Sequence, residues 1–97
     1  MQLAPIQYKL DEYELPEHRF LTGTLDIEID SVDDNPYIWA FELEVYDSTT
    51  KRRVMHYFEA GKLNNLVGSN DIRNDLHRDQ RLMNEILDDC IAAAMWS

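Results

Sequence analysis

The sequence has little of several features that define whole classes of protein. Only one of its 97 residues is cysteine, which excludes a disulfide framework, and Cys90 lies among apolar residues, where a buried core thiol is expected. No apolar run approaches the roughly 20 residues of a membrane helix, and the N-terminus lacks the basic and apolar regions of a signal peptide. We therefore expect a cytoplasmic protein with no membrane partner.

Glycine and proline are also scarce, with three of each in the chain. They leave no room for a flexible linker, and the sequence contains no repeat or low-complexity tract. A chain of this length forms one typical domain with one modest core. The sequence thus predicts a single domain over residues 1–97.

Basic residues are few in the first half of the chain. Nineteen acids face nine lysines and arginines, giving a net charge of −10. Residues 1–50 hold twelve acids against Lys9 and Arg19, whereas residues 51–97 hold seven of each sign. The whole excess lies in the first half, where it disfavours direct binding of nucleic acid and favours a basic partner.

The middle of the chain has the pattern of β-strands. Apolar and acidic residues alternate over 25–30, and turn-forming residues follow over 31–36. A second run is predicted over 39–45, a turn over 47–50 and a third strand over 54–58. In the second run, one face is predicted to hold Trp39, Phe41, Leu43 and Val45.

Residues 1–18 fit two patterns. Ile6, Leu10 and Tyr13 follow helical spacing, whereas Ile6, Tyr8 and Leu10 suit a strand. Of the two, a short helix is the favoured prediction.

The C-terminal part is predicted to be one long helix over residues 71–94, capped by Asn70 or Asp71. Its basic residues Arg73, Arg78 and Arg81 stand among Asp71, Asp75 and Asp79 at spacings that allow helical ion pairs. The predicted fold is α+β, a three-stranded antiparallel sheet over 24–59 with this helix packed on one face. The apolar stripe of the helix comprises Ile72, Leu76, Met83, Ile86, Leu87, Cys90, Ile91 and Ala94.

The sequence offers no convincing catalytic or metal-binding motif. The run Asp26-x-Glu28-x-Asp30 is similar to the opening of a calcium loop, but Ser31 stands where glycine is required and Tyr37 where glutamate is required. The three histidines lack ligand spacing, and no nucleophile motif is present. We predict no catalytic residue, no metal, no cofactor and no enzymatic activity.

Acidic residues dominate one face of the predicted sheet and its turns. Residues two apart on a strand are about 6.6 Å apart and neighbouring strands about 4.8 Å apart, so these acids crowd together. Like charges opposed across strands destabilise a sheet, so stability alone does not explain them. The predicted partner-binding residues are Asp26, Glu28, Asp30, Asp33, Asp34, Glu42, Glu44 and Asp47.

This acidic set, the small size and the predicted sheet-plus-helix layout resemble the phage-encoded DNA mimics. These include anti-restriction proteins and, more closely, the anti-CRISPR proteins that act on type I-F surveillance complexes. The resemblance implies an inhibitor that acts in the host cytoplasm. It would fill the basic channel in which such a surveillance complex binds target double-stranded DNA. Other readings stay open: an antitoxin or immunity protein that binds a basic toxin, an acidic accessory subunit, or a merely solubilising surface.

Overall fold

The computed structural model describes residues 5–31, 34–62, 65 and 67–96, with the backbone alone at Val67 and Trp96. In this part of the chain four strands precede two helices. The strands are β1 (Ile6–Leu15), β2 (Arg19–Glu28), β3 (Tyr37–Asp47) and β4 (Arg52–Glu59), and the helices are α1 (Val67–Arg78) and α2 (Gln80–Trp96). The α+β class is as predicted, but the three-stranded sheet with a single long helix is wrong.

The four strands form one antiparallel sheet in the order β1-β2-β3-β4. The short helix favoured for residues 1–18 is wrong, since residues 6–15 form strand β1. A β-bulge in this strand disturbs the two-residue period. Leu10 pairs with Gly23, but the next paired residue is Tyr13, opposite Leu21. Because the bulge adds a residue, Leu10 and Tyr13 face the same side although they are three apart, which copies helical spacing.

A second bulge, in β3, corrects the predicted core face. Asp26 pairs with Ala40, whereas Ile27 pairs with Ile38, so Trp39 is the extra residue. Ile38 is therefore fully buried and Trp39 is 38% exposed, the reverse of the prediction. Beyond the bulge the predicted inward residues Phe41, Leu43 and Val45 are buried.

Asp79 divides the predicted C-terminal helix in two. Its backbone N–H donates to the Leu76 carbonyl (3.1 Å) and its own carbonyl accepts from the Met83 N–H (3.0 Å). Its side chain accepts the Leu82 N–H (3.1 Å), as an N-cap residue does, and also the hydroxyl hydrogen of Tyr13. The break lets α1 contact β3 and β4 while α2 contacts β1, so that two short helices cover a wide sheet.

The same break changes which helical residues face the sheet. Leu82, outside the predicted stripe, is fully buried, whereas Leu87 and Ile91 are only half-buried. Cys90 is a buried free thiol, as predicted, and burial raises its pKa. The described residues contain no helix long and apolar enough to cross a membrane. The buried helical residues on this side are Ser69, Ile72, Leu76, Leu82, Met83, Ile86 and Cys90.

Candidate acidic interaction face

The strands turn alternate residues away from the helices, and these form the outer face of the sheet. On β2 the inward residues Leu25 and Ile27 are fully buried, so Asp26 and Glu28 point outward. On β3 the same alternation, with Leu43 buried, directs Glu42 and Glu44 outward. Glu28 and Glu42 are exposed, while Asp26 and Glu44 are half-buried.

The strand register sets these four carboxylates in a staggered row. Asp26 lies opposite Ala40, Glu42 opposite Thr24 and Glu44 opposite Thr22, so each acid faces a neutral residue. The direct opposition of like charges that the sequence led us to expect is therefore absent among them. Along the strand axis the order is Glu28, Asp26, Glu42, Glu44, with a step of two residues, about 6.7 Å, between neighbours. We call these four residues the acidic row.

Basic residues compensate only one end of the acidic row. Arg53 Nη1 lies 2.7 Å from Glu44 Oε1, and its guanidinium carbon lies 4.6 Å from the centre of the Tyr46 ring. No ion pair among the described residues involves Asp26, Glu28 or Glu42. The uncompensated charge is therefore concentrated toward the end of the row near the β2–β3 connection.

The remaining predicted acids lie in the connections between strands. Asp30 and Asp34 are exposed after β2, and Asp34 Oδ2 accepts a hydrogen bond from the Ser31 hydroxyl (3.2 Å). Asp47 ends β3, where its Oδ1 accepts the N–H groups of Thr49 (2.9 Å) and Thr50 (3.3 Å). That carboxylate shapes the β3–β4 turn. Asp33 lies outside the described residues.

The structure places on the outer face acids that the predicted site left out: Glu12 lines a hollow with Glu44 and Arg53, and Glu59 lies at the other end. Glu59 ends β4 and lies in the same cross-strand row as Ala40 and Asp26. Asp26, Glu42, Glu59 and the ring of Tyr57 line one hollow on the outer face. The sequence could have indicated Glu59 through the predicted third strand. If Phe58 points inward in that strand, the next residue, Glu59, points outward. The ammonium of Lys62 lies 2.8 Å from the Glu59 carboxylate.

Titratable groups elsewhere have structural partners. His77 Nε2 accepts the Ile38 N–H (3.0 Å), and His56 Nδ1 lies 3.2 Å from the Ser69 hydroxyl. Burial lowers the pKa of both imidazoles, and the charge of Arg73 adds to the effect at His77. Within the described part of the chain, no three His, Cys, Asp or Glu side chains converge as metal ligands.

The predicted ion pairs between arginines and aspartates of the C-terminal helix do not form among the described residues. Asp75 pairs instead with Arg19, at 3.0 Å. Arg73 places its guanidinium 4.7 Å from the centre of the Phe58 ring and donates to the Tyr37 hydroxyl (3.2 Å). Arg19 and Arg73 therefore join the helices to the sheet. Arg81 instead pairs with Glu85 on its own helix, with Nε 3.6 Å from Oε1.

No protein-family model matches this chain, and no curated protein or solved structure matches it either.

Proposed function

We propose that the protein is an acidic inhibitor that mimics double-stranded DNA and occupies the basic nucleic-acid-binding groove of a host defence complex, in the manner of an anti-CRISPR protein. The observation that carries the proposal is the acidic row, which lies on the sheet face opposite to the one that α1 and α2 cover. Following the family resemblance, the proposed partner is a type I-F CRISPR surveillance complex.

The spacing of the acidic row supports mimicry of a phosphate backbone. Successive phosphates of one DNA strand rise about 3.4 Å along the axis and, at the outside of the helix, are about twice as far apart in a straight line. The four carboxylates step by about 6.7 Å, so the row spans about 20 Å, which is close to the length of three phosphate steps. In a groove whose arginines and lysines are spaced to bind successive phosphates, each of these cations would face one carboxylate of the row.

The energetic cost of the row also points to a function. Two like charges 6.7 Å apart in water repel by about 0.6 kcal/mol before salt screening. A sheet shaped by stability alone gains from alternating signs, but among the described residues only Arg53 forms an ion pair with an acid of the row. The partner's cations would relieve this repulsion, which favours binding.

The outer face carries an aromatic ring next to the charge. Tyr57 lies opposite Glu42 and is 60% exposed. A guanidinium bound by Glu42 can stack on this ring, since cation–π contacts favour arginine. Arginine-lined grooves therefore suit the face better than lysine-lined ones.

A second candidate function is that of an immunity protein for a basic toxin. Tyr37 is 43% exposed and Trp39 38% exposed, beside the uncompensated end of the acidic row. Exposed aromatic residues anchor protein–protein interfaces, and a surface that only imitates phosphates does not need them. Removal of the Trp39 ring separates the candidates, because it weakens toxin binding strongly and leaves DNA displacement nearly unchanged. Tyr37 is kept in this test, since its ring stacks on His77 and its hydroxyl accepts from Arg73.

The test is displacement of a labelled DNA duplex from a type I-F surveillance complex, measured at several salt concentrations. The variant Asp26→Asn/Glu28→Gln/Glu42→Gln removes the uncompensated carboxylates without changing side-chain size. We expect it to lose about 100-fold in affinity, and to show a shallower salt dependence, because each lost charge pair removes one screened attraction.

The matched control removes three exposed acids from the helices: Asp71→Asn/Asp88→Asn/Asp89→Asn. It changes the net charge equally and should stay within about threefold of the parent protein. Equal loss in both variants contradicts the acidic row as the site, and simultaneous binding of DNA and protein contradicts mimicry. A protein that displaces no DNA from this complex rejects the type I-F assignment.

A further inference from the structure

β4 is an edge strand of the sheet, and its backbone pattern shows which of its groups are free. The N–H of Ala60 donates to the carbonyl of Trp39 (2.7 Å), so the even-numbered residues of this segment direct their backbone groups toward β3. In an antiparallel pair this direction alternates from residue to residue. The odd-numbered residues of β4 therefore direct their N–H and C=O groups to the open edge.

Asn65 closes one end of this edge. Its Oδ1 accepts the N–H of Glu59 (3.1 Å), and its Nδ2 donates to the carbonyl of Glu59 (2.7 Å). The side chain thus takes the place that a residue of a neighbouring strand would occupy. Among the described residues, none pairs with the outward-directed backbone groups of Arg53, Met55 and Tyr57.

The side chains along the open segment are more apolar than an exposed edge normally allows. Val54 is 50% exposed, Met55 42% and Tyr57 60%. The opposite edge, β1, has a bulge after Leu10 and acids over residues 11–14, two of the devices that keep an edge strand from pairing. β4 has no bulge within its pairing to β3.

We propose that the β4 edge is an interface between two copies of this chain, paired antiparallel about a two-fold axis at Met55. This register is the one that uses all three open residues of both copies. Arg53 of each copy then lies opposite Tyr57 of the other, and Met55 lies opposite itself. Each of the three residue pairs exchanges two backbone hydrogen bonds.

The charges of β4 favour a second copy over other strands. The strand begins with Arg52 and Arg53 and ends near Glu59, so antiparallel pairing places unlike ends side by side. A basic strand, by contrast, would meet the two arginines and Lys51 next to them.

The pair is expected to be weak and concentration-dependent, because a three-residue strand contact buries less than the roughly 1,200 Å² of a stable interface. Each copy carries a net charge of −10, so the two repel at long range. Added salt screens this repulsion and should strengthen the pair. DNA mimicry has the opposite salt dependence, so the failure of one proposal is distinguishable from failure of the other.

The test is disulfide trapping in the full-length protein. A residue that pairs with itself in a hydrogen-bonded position has its two Cα atoms about 5.5 Å apart, within the range of a disulfide. Under a mild added oxidant, Met55→Cys should form a covalent dimer at least about tenfold faster than Met95→Cys, whose side chain is 69% exposed on α2. The thermal midpoint of each reduced variant confirms that it folds.

Sedimentation equilibrium gives a second readout. Met55→Lys opposes two like charges on the axis and should weaken the pair at least about tenfold, whereas Met95→Lys should leave it unchanged. Equal trapping rates for the two cysteine variants overturn the proposal. So does a parent protein that stays monomeric at about 1 mM in moderate salt.

Discussion

The inner and outer faces of the sheet are made from alternate residues of the same strands, yet they meet different physical demands. The inner face packs against both helices, and residues such as Leu21 and Leu43 have no exposed surface. The outer face carries like charges that gain nothing from one another, and in the described part of the chain Arg53 alone forms an ion pair with an acid of the row. The inner face therefore accounts for the stability of the fold, and the outer face is free to be shaped by a partner.

The largest expected effect is loss of a side chain from the inner layer. Leu82→Ala should lower the free energy of unfolding by about 2–5 kcal/mol, because Leu82 is fully buried and truncation leaves a cavity. Glu42→Gln, on the outer face, should change it by less than about 0.5 kcal/mol. Urea denaturation of both variants measures the contrast, and similar values for the two would refute the assignment of the faces.

A slightly smaller effect is expected where two strands approach closely. Gly23 has φ of +148°, and a Cβ built there would lie 2.1 Å from the carbonyl oxygen of Glu42. Gly23→Ala should cost about 3 kcal/mol, since the backbone itself must move. Gly61→Ala is the control. Gly61 also has a positive φ, +86°, but nothing lies near a Cβ built there, so a cost of about 1 kcal/mol is expected. Equal losses in thermal melts would mean that backbone strain, not the close approach, sets the cost.

A third expectation concerns the break that lets the helices cover the whole inner face. Asp79→Ala removes the N-cap of α2 and the acceptor of the Tyr13 hydroxyl, and should cost about 1–2 kcal/mol. Asp79→Asn keeps an acceptor for the Leu82 N–H and should lose about half as much. Chemical denaturation distinguishes them, and an unchanged Asp79→Ala variant would show that α2 needs no cap.

The smallest expected effect is a change in stability with pH, and it comes from His77 on the side of the sheet that the helices cover. His77 has a lowered pKa in the folded protein, so folding favours its neutral form. Its contribution is fully present above its unfolded pKa of about 6.5 and is lost as the pH falls below that value. In His77→Gln the amide oxygen can still accept the Ile38 N–H without titrating. As the pH is lowered from about 7.5 to about 5, the free energy of unfolding of the parent should therefore decrease relative to that of the variant. A difference in free energy that does not change with pH would contradict this.

Much of the sheet is predictable because its alternation is local. The apolar residues of two strands are buried as their two-residue period predicts, namely Leu25, Ile27 and Ile29 on one and Phe41, Leu43 and Val45 on the next. What failed were positions where an extra residue enters a strand. A bulge in β3 exchanges the roles of Ile38 and Trp39, and a single sequence carries no mark of it.

The helical region failed for a different reason. Arg78, Asp79 and Gln80 are compatible with a continuous helix, so local pattern favours one long element. The bend at Asp79 lets α1 contact β3 and β4 while α2 contacts β1, and the misassignment of β1 hid the fourth strand that α2 covers. The outward direction of the acids Asp26 and Glu42 followed from alternation, whereas their stagger depends on register and could not be read from the sequence.

The bulge between Leu10 and Tyr13 determines where growth of a paired sheet would stop. A sheet with two open edges adds copies without limit and becomes a fibre, whereas a sheet with one open edge closes after a single addition. The bulged and acidic β1 edge is a poor acceptor for another strand, and pairing through β4 uses the other edge of both copies. Concentrated protein should therefore stop at two copies and stay dispersed.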